Sequence, residues 1–209
     1  MKSFKQSNGL LLIGGGGHCR AVLDILKMLS LNVDGIVDNN TALHNVLGIP
    51  IVGTDKDIIN LRKKYEAALV TVGQIKNSDT RQAIYQLLIN SNYIIPTIIS
   101  PIAHISHYVS INSGTVIMHM ALINSNVSIG KNCIINTKSL VEHDVVIGDH
   151  CHISTGAILN GGVRIGDSTF IGSGAIVREG ISIGKKCIIG MGSIIKHDIP
   201  DESIIIGYQ

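Results

Sequence analysis

The stretch SIGKNCIINTKSLVEHDVVIGDHCHISTGAIL, Ser128–Leu159, places Ile129, Ile135, Val141, Ile147, Ile153 and Leu159 six residues apart. Followed outward, the column runs unbroken from Ile99 to Ile195 through 17 positions, each Ile, Val or Leu. Four residues after each aliphatic the chain sets mostly small or β-branched residues: Ala103, Val109, Thr115, Ala121, Val127, Cys133, Ser139, Val145, Cys151 and Ala157. A fixed period of this kind marks a repeat architecture, and a six-residue period marks a parallel β-helix. A sandwich of short strands would lose the spacing at its hairpin turns.

Each hexapeptide supplies one short strand and one corner, so three close a triangular coil. The aliphatic residue then points inward and stacks on its counterpart in the next coil, about 4.8 Å along the axis. Burying each is worth about 1.5–3 kcal/mol, and one inserted residue would turn everything downstream out of the core. The residue after the aliphatic is often Gly or Asn (Asn124, Gly130, Asn136, Gly148, Asn160, Gly166, Gly172, Gly184, Gly190). These positions are expected to carry the positive φ of the corners.

The period leaves the hand of the coil open, and right-handed crossovers are the general rule for parallel strands. The pattern resembles the hexapeptide-repeat acyltransferases, a resemblance that implies a left-handed helix. The prism alone assigns no activity, which depends on what decorates it.

At 209 residues the chain has room for the prism, expected over 96–209, and an independent first domain over 1–95. A net charge of +2 with scattered Lys and Arg, and only two Phe and five Tyr, gives no basic patch or stacking platform for nucleic acid. No apolar run approaches the roughly 18 residues of a membrane span. The start MKSFKQSNG precedes only the short run Leu10–Ile13, too little for a signal peptide, so a cytoplasmic protein is expected. Four cysteines fit no zinc spacing. Cys133 and Cys151, one coil apart, are expected to stack inward as reduced thiols.

The first domain begins with the apolar run Asn8–Ile13, then Gly14-Gly15-Gly16-Gly17-His18. Ala21, Val22, Ile25, Leu26 and Leu29 follow at helical spacing. A strand, a glycine turn and a helix N-terminus present backbone N–H groups to a phosphate with no side chain in the way. A second apolar strand, Val33–Val37, ends in Asp38-Asn39, where an acid meets the ribose or base of a bound nucleotide. A strand at Ala67–Val72 ending in Gly73, a helix around Asp79–Ile89 and a strand near Tyr93–Ile95 complete a Rossmann-like α/β unit with a parallel sheet. Cys19 stands where the dinucleotide fingerprint needs its third glycine, which argues against a dinucleotide cofactor.

On the prism the notable cluster of polar and titratable residues is Asn136–Asp144, with His150, His152 and Asn160-Gly161-Gly162 after it. His143 follows the inward Val141 by two residues, so it sits at a corner and points out. Flanked by Glu142 and Asp144, its imidazole is placed as a general base, because a carboxylate orients the ring and raises its basicity. His150 and His152 alternate along the strand and form no three-ligand set with His143, so no metal is expected.

Glycine turn, acid after the second strand and hexapeptide helix together resemble the sugar O/N-acetyltransferases of the sialic-acid and nucleotide-4-amino-sugar group. The resemblance implies that Gly16, Gly17, His18, Asp38, Asn39 and Gly73 hold a nucleotide-sugar. It implies that His143 deprotonates the acceptor with Asp144 in support. It also implies acetyl-CoA as co-substrate, bound along a groove between neighbouring prisms at His152, Gly161, Ser173 and Met191. The sequence ends in Gly207-Tyr208-Gln209 where the group continues through a G-x-P-A tail, which puts some coenzyme contacts in question. The function expected is acetyl-CoA-dependent N-acetylation of a nucleotide-linked 4-amino-deoxy sugar, in surface-polysaccharide or glycan synthesis, by a homotrimer. Sialic-acid O-acetylation and a non-catalytic hexapeptide scaffold are the alternatives.

Overall fold

The computed structural model describes residues 9–75 and 77–207. The start of the chain through Asn8, and Tyr208-Gln209, lie outside the described residues. In the first domain strand β1 (Leu10–Ile13) leads through the glycine turn into helix α1 (Gly17–Met28) and strand β2 (Val33–Val37). A short hairpin follows, β3 (Asn45–Val46) and β4 (Ile49–Gly53), then the one-turn helix α2 (Ile58–Leu61), strand β5 (Ala67–Val70) and helix α3 (Asp79–Asn90). The sheet order is β3-β4-β2-β1-β5, and only the β3–β4 edge is antiparallel. The all-parallel sheet read from sequence is therefore mixed, because Gly48 at φ +86° and Leu47 at φ 51° make a tight turn between β3 and β4. The strand expected near Tyr93–Ile95 is a single bridge between Ala67 and Ile94.

From Ile98 onward the chain is a left-handed parallel β-helix of two-residue strands in three parallel sheets. Partners lie one coil apart, as in Ile123 with Val141 and Ile129 with Ile147. The aliphatic column forms the core from Ile117 to Ile195 with its residues almost wholly buried, while Ile99, Ile105 and Ile111 pack against it partly buried. Cys133 and Cys151 stack inward as free thiols, and each S–H donates to a carbonyl one coil on, Gly148 O and Gly166 O, both at 3.1 Å.

The corner expectation is corrected. Positive φ falls three residues after the aliphatic, at Asn126, Asn132, Lys138, Asp144, His150, Gly156 and Gly162 among others, and not one residue after it. Glycine at the earlier position answers a different demand. A Cβ on Gly130 would sit 2.5 Å from the Gly148 backbone, and one on Gly166 2.6 Å from that of Gly184. The coils stack too closely there for a side chain. The asparagines at that position instead bond along the stack, as Asn124 Nδ2 does to Glu142 Oε2 at 2.7 Å.

The three prism faces differ. One begins with Ile98, Val116 and Ile134, which are buried, and on it the first domain docks, with Ile98, Val116 and Met118 joining the core of α1 and β1. A second presents Leu122, Leu140, Ile158, Ile176 and Ile194 outward and partly exposed, an apolar stripe. The third presents Ser110, Ser128, Val146, Arg164 and Ser182.

Candidate active site

The turn of the first domain is built to leave backbone open. Gly14 has φ +104°, and Thr71 Oγ1 donates to its carbonyl at 2.7 Å. Helix α1 has no side-chain cap, and a Cβ on Gly16 or Gly17 would meet nothing within 4 Å. The first-turn N–H groups thus face open ground, the arrangement that takes an anion. Asp38 is bonded within the turn, with Oδ2 accepting from Gly15 N–H at 2.6 Å and Oδ1 from Asn40 N–H at 2.8 Å. Asn39 bonds Asp55 in both directions, at 2.7 and 3.1 Å, so its side chain buttresses the rim of the crevice. Gly73 is exposed, and a Cβ there would lie 3.8 Å from that of His18.

His143 stands at the corner between the apolar and the serine-bearing faces. Its Nδ1–H donates to Asp144 Oδ2 at 2.8 Å, which leaves the Nε2 lone pair free to take a proton. Asp144 adopts φ 62°, a left-handed corner that aspartate tolerates. Asn126 Nδ2 donates to its other oxygen at 2.7 Å. The Asp144 hydrogen bond raises the His143 pKa, while the bonds from Asn126 and His143 lower that of Asp144. Glu142 is bonded by Asn124 and not by the ring, so it supports His143 through its charge alone, which adds to the rise in the His143 pKa. Gly161 lies beneath the imidazole, where a Cβ would come within 2.7 Å of His143 Cε1.

His152 is buried. Its Nδ1–H donates to Gln74 O at 2.7 Å, and Asn136 Nδ2 donates to its Nε2 at 3.1 Å, so the ring is neutral with both nitrogens bonded. Burial holds its pKa down to about 4. Among the acetyl-CoA residues expected from sequence, Ser173 is exposed and bonds Ser154 Oγ at 2.9 Å. Met191 is 79% exposed. Both sit at the corner between the docked and apolar faces, whereas Gly161 sits at the His143 corner, so the apolar face lies between them.

The junction between domain and prism holds residues that sequence reading missed. Arg81 is 1% exposed and bonds the carbonyls of Val70 and Val72 and, through Nη2, Asn132 O at 3.0 Å and Oδ1 at 2.9 Å. Among the described residues no carboxylate pairs with it. Burial lowers its pKa to about 10, so it stays charged. Burial first, then the Arg81 charge, pushes His18 down to about 3. A signal for Arg81 exists in the sequence: it shares a helical face with Ile84, Tyr85 and Leu88 (i, i+3, i+4, i+7), a charge set in an apolar stripe. Among the described residues, no group of three or more His, Cys, Asp or Glu gathers that could hold a metal.

His143 lies at the corner opposite the face on which its own first domain docks, so one chain does not bring the glycine turn and His143 together.

A carboxylate-oriented imidazole on a hexapeptide coil, joined to a domain with an open helix N-terminus, defines the class as acyltransferases built on a β-helix. Residues 9–88 match the PglD N-terminal domain, 126–161 the bacterial transferase hexapeptide (six repeats) and 162–196 the hexapeptide repeat of succinyl-transferase. The structure is similar to a histidine-to-asparagine mutant of perosamine N-acetyltransferase from Caulobacter crescentus in complex with CoA and GDP-perosamine, at 32% identity over 97% of this chain and 95% of that one, TM-score 0.91. It is similar to the acetyltransferase domain of PglB from Neisseria gonorrhoeae in complex with acetyl coenzyme A, at 30% identity over 97% of each chain, TM-score 0.89. WeeI from Acinetobacter baumannii gives 25% identity over 96% of this chain and 97% of that one, TM-score 0.86. No curated protein matches the sequence. The chain belongs to the hexapeptide-repeat sugar acetyltransferase family and is an acetyltransferase.

Proposed function

We propose that this protein transfers the acetyl group of acetyl-CoA to the amino group of a nucleotide-linked 4-amino-deoxy sugar, in the cytoplasm, for surface-polysaccharide or glycan synthesis. The observation that carries the reading is the outward His143 imidazole, oriented by Asp144 with Nε2 free. The sugar amine attacks the thioester carbonyl carbon, Nε2 takes the amine proton, the carbon–sulfur bond breaks, and CoA leaves as thiolate. The imidazolium then returns its proton to the thiolate, so that amide and thiol are the products and the base is restored. The crevice formed by Gly16, Gly17, His18, Asp38, Asn39 and Gly73 takes the nucleotide-sugar, with its diphosphate on the open N-terminus of α1. Acetyl-CoA lies along Gly161, Ser173 and Met191, and His152 supports the floor of that groove from within. The N-acetylating relative that binds a GDP-linked amino sugar supports amine over hydroxyl as the acceptor, against sialic-acid O-acetylation. The test is thiol release from acetyl-CoA with GDP-, UDP- and dTDP-linked 4-amino sugars. Turnover with sialic acid and with none of the nucleotide-sugars would overturn the reading.

The assembly belongs to the same proposal. The apolar stripe Leu122–Leu140–Ile158–Ile176–Ile194, and the coenzyme residues at the corners on either side of it, support a threefold arrangement in which neighbouring chains complete each site. Ile158→Asp is expected to give a folded monomer in light scattering and to abolish transfer. A trimer with wild-type activity would contradict this. Gly161→Ala is expected to slow transfer by about 10²-fold, since a Cβ there displaces the base and misplacement on the ångström scale has that effect. Its melting temperature should be unchanged, as the Gly161 backbone is not left-handed.

A further inference from the structure

Among the described residues four buried side-chain nitrogen and oxygen atoms have no hydrogen-bond partner: His18 Nε2, Gln74 Oε1, Gln74 Nε2 and Arg81 Nε. All four lie at the junction of the first domain and the prism. Arg81 Nε belongs to a guanidinium whose terminal nitrogens are bonded to carbonyl oxygens. Gln74 is different. Its main chain is fixed, with the carbonyl held by His152 Nδ1–H at 2.7 Å, and the residue is 3% exposed, yet neither end of its amide is bonded. A buried amide left so is a net loss to the fold, and an apolar residue of the same shape would serve stability better.

Its place gives the loss a use. The carboxyl ends of β2, β1 and β5 follow one another toward the prism, carrying Asp38-Asn39, then the glycine turn, then Gly73-Gln74. A nucleotide-sugar with its nucleoside at Asp38 and its diphosphate at the helix N-terminus extends its sugar past β5 toward Gln74 and His18. The neighbours Gly73 and Ile75 are exposed, so the buried Gln74 side chain lies one residue from open surface on either side. An unbonded amide turns toward a ligand without breaking a bond, and it offers the donor and the acceptor that a sugar hydroxyl needs.

Resting on the proposed acceptor, we propose that Gln74, together with His18 Nε2, is a specificity-determining pair that bonds the sugar moiety of the nucleotide-sugar. His18 is suited to the part because burial and the Arg81 charge keep its ring neutral. A site built to bond a hydroxyl discriminates against ligands that lack it.

Calorimetry with GDP-perosamine and a UDP-linked 4-amino-4,6-dideoxy sugar, and with GDP and UDP as sugarless controls, tests this without turnover. Gln74→Leu is expected to bind the nucleotide-sugar about tenfold more weakly while holding GDP or UDP within about twofold. Its melting temperature is expected to equal or exceed that of the wild type. Gln74→Met, more flexible in the same volume, is expected to behave alike and covers a failure of the leucine variant to fold. Equal losses for sugar-bearing and sugarless ligands, unchanged affinity for both, or a lowered melting temperature with unchanged binding would each overturn the assignment. A wild type that binds neither nucleotide-sugar overturns the proposed acceptor along with it, whereas unchanged binding by the variants overturns the Gln74 assignment alone.

Discussion

His143→Ala is expected to slow acetyl transfer by about two to four orders of magnitude, the contribution of a positioned general base. The fold should be unaffected, because the side chain is exposed at a corner and buries little. Affinity for acetyl-CoA should change little, since Nε2 meets the acceptor amine. The pH–rate profile carries the same argument further. The base acts in its neutral form, so activity falls as pH drops through the His143 pKa, which the Asp144 hydrogen bond raises. Asp144→Asn removes that effect, so the pKa falls and the acidic limb moves to lower pH, with a smaller loss of rate than in His143→Ala. Asp144 itself, held low by Asn126 and His143, stays ionised across the working range. Wild-type turnover by His143→Ala from pH 6 to 9 on an accepted sugar would remove the residue from the mechanism.

The second large effect concerns the prism itself. Ile147→Asp is expected to abolish the cooperative folding of the coil. Ile147 is 2% exposed, with Ile129 and Ile165 paired directly before and after it in the column. A carboxylate there has no partner, and burying an unpaired charge costs several kcal/mol even after relaxation. That is a large part of the roughly 5–15 kcal/mol that holds an ordinary domain folded. Each coil also rests only on its neighbours, so a fault in the middle separates the two ends of the stack. Thermal melting by circular dichroism reads the effect directly. An unchanged transition would mean that position 147 does not face the core. The conservative change Ile147→Val should shift the melt only slightly, as one methylene group is lost.

What the sequence by itself determined is whatever a local period determines. The six-residue spacing set strand, corner and inward face together, because a side chain's direction in a short strand depends only on its parity and on the corner that follows. Hence the register from Ile99 to Ile195, the inward thiols of Cys133 and Cys151, and the outward position of His143 were all legible. The same holds for the glycine turn, where strand, turn and helix are consecutive in the chain. Tertiary structure decided what depends on approach between distant segments. Glycine at positions 130, 148 and 166 reflects the stacking of one coil on the next, and the left-handed turn falls two residues later than composition suggested. Asn124, one coil away, draws off Glu142 and leaves Asp144 alone to orient His143. His152 is buried under a main-chain carbonyl 78 residues earlier, and Arg81 binds Asn132 51 residues later. No period relates such pairs. They meet because helix α3 and the end of β5 dock on one face of the prism, and docking is governed by complementary surfaces that exist only once both parts have folded.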